Sequence, residues 1–354
     1  FIMERTNIEG IVVVYQEDLL EKSARSFRVY WHGAVLTTSE SGSESDLAEL
    51  LKEKPQPWAK EVLLAAGLTP KTVAKVQIPA GSQANQGFVV VAGPKEGLSR
   101  ANRELVQVFA MALGQRLVDY HKEQRWLQQF FGPAIVTRLL QERDYRERYL
   151  SPRERTAAIL FADITSFTTI SEQILEGPAE VGQFIDHWSD RVVNILWEHG
   201  GAFDKMVGDC VIGLFGPPFE DYSSAECVAR AINAAMAIND FTAKMSGIPV
   251  VDKIRKSTLI PGLGVATGVN VGEVMVGTIG PNYDFTAFGR EMNNTARLQG
   301  VADYREILVM VSAYEKLVAE KHSLVEKIEW GNVQEKAVKN VKEPLRYLDI
   351  KPNC

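Results

Sequence analysis

Apolar residues along the first hundred positions fall in short runs: IVVVY (11–15), FRVYWHG (27–33), VAKVQIP (73–79) and GFVVVAG (87–93). The runs are rich in β-branched and aromatic residues and are bounded by Gly, Pro and Ser, which predicts strands. SESGSESD (39–46) predicts a loop, and DLAELLKEK, which stops before Pro55, a short helix. Beyond Ser99, a plausible N-cap, the period lengthens and predicts one helix over 99–131. There Val106, Ala110, Leu113, Leu117, Tyr120, Gln124, Leu127 and Phe131 alternate steps of four and three. Such a heptad seam predicts a parallel coiled coil between two copies, the alternative being a helix docked on its own domain. Gly132-Pro133 ends it, AIVTRLLQERDYRERYL predicts a second helix with a solvated charged face, and Ser151-Pro152 marks a domain boundary.

From position 156 the pattern changes again. TAAILFAD predicts a buried strand, ITSFTTISEQ the start of a helix and VGQFIDHWSDRVVNILWEHG a long amphipathic helix. AFDKMV and CVIGLF, separated by Gly-Asp, predict a hairpin with a tight primed turn. A helix over SSAECVARAINAAMAINDFTAKM follows, then GLGVATGVNVGEVMVGTIG as strands split by a turn. MNNTARLQGVA predicts a helix, ILVMVS a strand, SAYEKLVAE a helix, and further strands close the chain. The order β-α-α-β-β-α-β points to an α+β class with a ferredoxin-like core. The domains expected are 1–98, a helical linker over 99–150, and 151–354.

Composition narrows the class. The 354 residues, 45% hydrophobic and 24% charged, suit two globular domains. A net charge of −6 argues against a nucleic-acid binder, so a polyanionic ligand needs a local basic pocket. Three cysteines without a CxxC pair fit a reducing cytoplasm, and the five histidines lack zinc spacing. No apolar run approaches the roughly 20 residues that span a bilayer. The chain starts at Phe1 without an initiating Met and reads as part of a longer protein.

Two carboxylates are candidates for chemistry. Asp163 ends the strand AAILFA, and Asp209 sits at the hairpin tip 46 residues later. Strand ends and hairpin tips are where side chains converge outside a sheet, and two hard oxygen ligands suit Mg²⁺ or Mn²⁺. Either aspartate alone is more commonly a turn or cap residue. Ile164, Thr165, Ser166, Phe167 and Thr168 open a helix whose free N–H groups can hold phosphates, unless Thr165 or Ser166 merely caps it. Lys205 precedes Asp209 on the hairpin; strand alternation puts 203, 205 and 207 on one face and 204 and 206 on the other. Asn293 and Arg297 share a helical face at i and i+4, and Arg is the natural partner of a phosphate oxygen. By themselves Lys205, Asn293 and Arg297 read as surface residues.

FADITSFT, FDKMVGD and TAFGREMNNTARL, in this order and spacing, resemble the class III nucleotidyl cyclases, and GVATGVNVGEVMVGTIG resembles that family's glycine-rich strand pair. The resemblance covers roughly residues 155–350. It implies that Asp163 and Asp209, with the carbonyl of Ile164, hold two divalent cations, Mg²⁺ or Mn²⁺. It implies that Lys205 and Thr286 read adenine, Thr286 standing where many members have Asp, as in the branch with bicarbonate-responsive enzymes. Phe167 and Thr168 would lie at the phosphates, Asn293 at the ribose, Arg297 at the charge growing on the α-phosphate, and Lys339 at the triphosphate. MNNTAR departs from the family's more apolar helix, and Asn340 stands where Gly often follows the lysine. Residues 1–125 resemble a GAF sensor domain in their later part.

The resemblance implies an adenylate cyclase that converts ATP into cyclic AMP and pyrophosphate. In the family one protomer supplies the aspartates and the other the base, ribose and transition-state residues, which implies a homodimer here. A small molecule or bicarbonate would be the activator. The competing readings are a guanylate cyclase and a catalytically silent, ligand-binding regulator with the same fold. GGAFD (200–204) resembles the GGDEF signature of diguanylate cyclases, but Ala202 and Phe203 replace its acidic pair, so that reading is rejected.

Overall fold

The computed structural model describes residues 8–16, 27–31, 34–37, 59–65, 71–79, 87–338 and 344–350. The chain divides into two compact units, residues 1–125 and 126–354. The expected loop over 39–46 and the helix over DLAELLKEK lie outside the described residues, as does Lys339.

The first unit contains β1 (Gly10–Gln16), β2 (Phe27–Trp31), β3 (Ala34–Thr37), α1 (Ala59–Ala65), β4 (Thr72–Ile78), β5 (Gly87–Gly93) and most of α2 (Arg100–Leu127). Its five strands form an antiparallel sheet in the order β3-β2-β1-β5-β4. Val106, Ala110 and Leu117 of α2 are buried in one cluster with Val13, Ile78, Val89 and Val91 of that sheet, and Leu113 packs beside them. For this part of the stripe the structure fits the alternative, a helix docked on its own domain. The lower part of the heptad stripe is covered by the unit's own strands, while Leu127 and Phe131 belong to the core of the second unit. Over a few turns a heptad seam and an ordinary amphipathic stripe have nearly the same spacing. The helix also stops at Leu127, where the N–H of Gln129 and of Phe130 bond three residues back, to Trp126 and Leu127.

The second unit opens with α3 (Pro133–Gln141) and a π-helical turn (Arg146–Leu150), so the second expected helix is broken. Next come β6 (Arg153–Ile164), a short turn of helix from Phe167 that passes into a π-helical turn (Ile170–Ile174), and α4 (Pro178–Glu198). The hairpin β7 (Gly201–Val207) and β8 (Cys210–Phe215) precedes α5 (Ser224–Lys244) and α6 (Pro249–Lys256). Then follow β9 (Val265–Ile279), β10 (Asp284–Phe288), α7 (Arg290–Gln299), β11 (Ile307–Met310), α8 (Val311–Ala319), α9 (Leu324–Lys327), β12 (Gln334–Lys336) and β13 (Leu345–Ile350). The sheet runs β12-β13-β11-β9-β6-β8-β7, with β10 paired to β9; β11 is parallel to β9 and the other pairs are antiparallel.

Both faces of β6 are buried. Ala158, Leu160, Ala162 and Ile164 meet α4 and α5, while Ala157, Ile159 and Phe161 meet the cluster of Leu127, Phe131 and Met292. That period of two explains why the strand reads as a continuous apolar run.

β9 corrects a second expectation: it is one strand of 15 residues, not two split by a turn. Its glycines serve close approach. A Cβ on Gly268 would lie 2.8 Å from the N of Gln299 and 3.0 Å from the O of Thr295, both backbone atoms of α7. Gly268 thus lets α7 lie directly on the sheet, and backbone cannot swing aside as a side chain can. Gly268→Ala is therefore expected to cost about 1–3 kcal/mol in urea unfolding through this overpacking. An unchanged midpoint would contradict the close packing of α7 on β9.

Candidate active site

The hairpin and β6 bring the two aspartates together. Gly208-Asp209 is a two-residue loop closed by the pair Val207 and Cys210. Gly208 has φ +64° and Asp209 is not among the residues of positive φ, the pattern of a type II′ turn. Across the next ladder Cys210 faces Asp163. The two carboxyls lie near enough to perturb one another, and the backbone N–H groups of Asp209 and Ile164 favour the charged form of Asp209. Burial first, and Asp209 second, raise the Asp163 carboxyl above the usual carboxylate range; burial raises Asp209 as well. Two like charges in a partly desolvated pocket repel, so the pair is primed for a cation. Among the described residues no three His, Cys, Asp or Glu cluster around a metal position. Two carboxylates with the Ile164 carbonyl are an all-oxygen donor set, which fits a hard divalent cation completed by phosphate and water. Burial, helped by both aspartates, pushes the Cys210 thiol up to about 12.

The segment after Asp163 differs in detail from the expectation. Thr165 is not available to a ligand: its N–H and its hydroxyl both donate to the carbonyl of Gly264 at 3.0 Å. Ser166 sits at φ +61°, and the helical turn begins only at Phe167. Phe167 packs against the core while Thr168 is exposed.

Lys205 and Thr286 meet. The Lys205 ammonium donates to Thr286 Oγ1 at 2.8 Å and lies 5.4 Å from the ring centre of Phe288. The anchor beneath them is aromatic: the rings of Phe131 and Phe285 stand 4.7 Å apart, and Phe131 bridges to Ala202 of β7. The carbonyl of Phe130 accepts from the N–H of Phe203 at 2.8 Å. β7 carries a bulge between Phe203 and Lys205, which leaves Asp204 as the extra residue and breaks the expected alternation. Asp204 therefore comes to 3.6 Å from the Lys205 ammonium instead of facing away. Its carboxyl is pushed up to about 6, by burial above all, against the pull of Thr286 and Lys205.

α7 holds Asn293 and Arg297 on its outer face, with Met292, Thr295 and Leu298 buried on the inner one. Glu291 pins the helix start: its carboxylate accepts from Asn270 at 2.9 Å and from Asn294 at 3.3 Å. Neither the Asn293 side chain nor the Arg297 guanidinium has a hydrogen bond or ion pair among the described residues, and Asn293 is exposed. At the helix end Gln299 donates to Asp163 at 3.4 Å. The sequence reading missed Gln299 and Asp204: nothing marks a glutamine six residues past Asn293, and the bulge that turns Asp204 has no glycine to signal it.

Residues 150–347 match the family model described as the adenylate and guanylate cyclase catalytic domain. The chain is 28% identical over 153 residues to an adenylate cyclase of Anabaena cylindrica, covering 42% of this chain and 27% of that protein. It is 26% identical over 144 residues to adenylate cyclase 1 of Rhizobium meliloti strain 1021, covering 40% and 20%. The aligned stretches thus span about a quarter or less of the length of these curated relatives. The crystal structure of the adenylyl cyclase CyaB from P. aeruginosa aligns with a TM-score of 0.49 at 24% identity, covering 58% of this chain and 98% of that one. The guanylyl cyclase Cya2 aligns at 0.47 and 24%, covering 56% and 93%. Among the described residues no helix is long and apolar enough to cross a membrane.

The raised carboxyls carry a sign. A carboxyl held above its unfolded value keeps a proton that the unfolded chain has released, so its contribution to stability falls as pH rises through that window. Asp163→Asn removes one such group. In EDTA, the variant is expected to gain stability over the wild type by at least about 1 kcal/mol more at pH 7.5 than at pH 4.5, the equivalent of one pK unit. Urea unfolding at the two pH values checks this, and an equal difference at both would refute it.

Proposed function

From the premise that this chain belongs to the adenylate and guanylate cyclase catalytic-domain family, we propose that it converts ATP into 3′,5′-cyclic AMP and pyrophosphate at sites shared between two copies of itself. The observation that carries the choice of ATP is the Lys205–Thr286 contact at 2.8 Å. A lysine donor meets adenine N1, and a threonine oxygen accepts from the 6-amino group. Guanine offers a donor at N1 and an acceptor at O6, the wrong group at both places.

The reaction joins the ribose 3′-oxygen to the α-phosphorus and releases pyrophosphate. Asp163, Asp209 and the Ile164 carbonyl would hold two divalent cations, Mg²⁺ or Mn²⁺. When bound, these supply Lewis-acid polarisation of the 3′-hydroxyl and the phosphates. The chain's own residues do the rest. The first-turn N–H groups at Phe167 and Thr168, which lack intrahelical partners, face the phosphates. Asn293 holds the ribose. Arg297, whose guanidinium has no carboxylate partner among the described residues, meets the charge that grows on the α-phosphate. Lys339 is assigned to the triphosphate from its motif alone.

A second copy is supported by what surrounds the site. Phe288 is 52% exposed and Met275, its cross-strand partner, 40%, next to Lys205. Paired apolar side chains left open beside a charged group are the surface a partner covers. The aspartates of one copy then face Lys205, Thr286, Asn293 and Arg297 of the other. The first unit is assigned as a GAF-like sensor, supported by its antiparallel sheet backed by α2, with a small molecule or bicarbonate as activator.

The test is turnover of ATP and GTP with Mg²⁺ and with Mn²⁺. Cyclic AMP is expected as the main product. Asp163→Ala should reduce it to background, and Arg297→Ala should cost on the order of 10²–10³ in kcat, the usual loss for one transition-state donor. Preference for GTP in the wild type, or full activity of Asp163→Ala, would overturn the reading.

A further inference from the structure

Thr286 poses a problem of proton bookkeeping. A hydroxyl has one proton and two lone pairs, and it rotates to donate or accept as its surroundings ask. Left free, it would turn its proton toward guanine O6 as readily as it would accept from adenine. Its β-branch limits the rotamers of the side chain but leaves the hydroxyl hydrogen free to turn. Adenine selectivity by a threonine therefore needs something that holds this proton away from the base.

Asp204 is in place to do so. Its side chain is 0% exposed, and neither carboxyl oxygen has a hydrogen bond of good geometry. A buried carboxyl left in that condition is costly unless its position has a use. The bulge in β7 turns it toward the base-contacting pair, 3.6 Å from the Lys205 ammonium. The Lys205 ammonium joins the two residues, lying 2.8 Å from Thr286 Oγ1 and 3.6 Å from Asp204 Oδ1. The lysine already occupies one lone pair of Thr286 Oγ1. A buried carboxylate that shares this lysine is the acceptor on offer to the hydroxyl proton, and taking it would leave the second lone pair free to accept from a base.

We propose that Asp204 is a specificity-determining positioning residue, whose carboxylate captures the Thr286 hydroxyl proton and so holds Thr286 as an acceptor that selects adenine. The same carboxylate fixes the Lys205 ammonium beside it. Asp204 touches no substrate and acts through its two neighbours. The inference rests on the assignment of Lys205 and Thr286 as the base-contacting pair.

The experiment compares kcat/KM for ATP and for GTP in the wild type, Asp204→Asn and Asp204→Ala, and repeats Asp204→Asn in a Thr286→Val background. The isosteric amide relieves a buried charge and preserves the packing, so it guards against a variant that fails to fold. Either folded variant should lower the ATP:GTP ratio about tenfold, the worth of one oriented hydrogen bond, with GTP turnover kept or raised. In the Thr286→Val background, Asp204→Asn should leave the ratio where Thr286→Val alone puts it. A ratio unchanged in folded Asp204→Asn, or a parallel fall with both nucleotides, would overturn the inference. Preference for GTP in the wild type would instead overturn the reading beneath it.

Discussion

The register of β6 between β8 and β9 is the constraint on which the site depends. Asp163 faces Cys210 on one side and Ala266 on the other, so the hairpin tip delivers Asp209 to the same end of the sheet. A slip of one residue would turn Asp163 to the opposite face and reverse the apolar alternation of the whole strand. Both faces of β6 are buried, and that makes such a slip prohibitive. The fold can therefore afford two partly buried carboxyls close to one another, an arrangement unfavourable in itself, because the strand carrying one of them has no other register.

The side that carries Lys205 and Thr286 is built differently. Lys205 and Thr286 lie on strands that meet over an aromatic floor, where Phe131 packs on Phe285, one position from Thr286. Phe130 and Phe131 follow directly on the end of α2, and the Phe130 carbonyl holds Phe203, two positions from Lys205. Two short contacts thus tie residues 130–131 to the strands that carry Lys205 and Thr286. Much of the heptad stripe is spent on packing α2 against β1, β4 and β5.

What the sequence made legible follows from how local each signal is. β5 coincides with its predicted span, and the hairpin with its Gly-Asp loop follows from apolar runs and one turn dipeptide. The motifs around Asp163, Asp209 and Asn293 are contiguous in sequence, and they fall at the end of β6, in the β7–β8 hairpin and on α7. The failures share a cause: a neighbour distant in sequence decided the outcome. The glycine-rich stretch of β9 read as strands split by a turn because the α7 backbone pressed against Gly268 is some thirty residues away. The lower part of the heptad could not be told from a docked helix, because the strands that cover it carry no mark of their partner. The bulge at Asp204 reversed an alternation argument that was sound for a regular strand.

The central claim is that one chain carries two half-sites that work only across a pair. Mixing inactive Asp163→Ala with inactive Arg297→Ala, under conditions where subunit exchange is verified by differential tagging, measures it directly. The account predicts that cyclic AMP formation returns, because each mixed dimer keeps one site with intact aspartates from one copy and intact Arg297 from the other. Confirmed exchange with no recovered activity would contradict it.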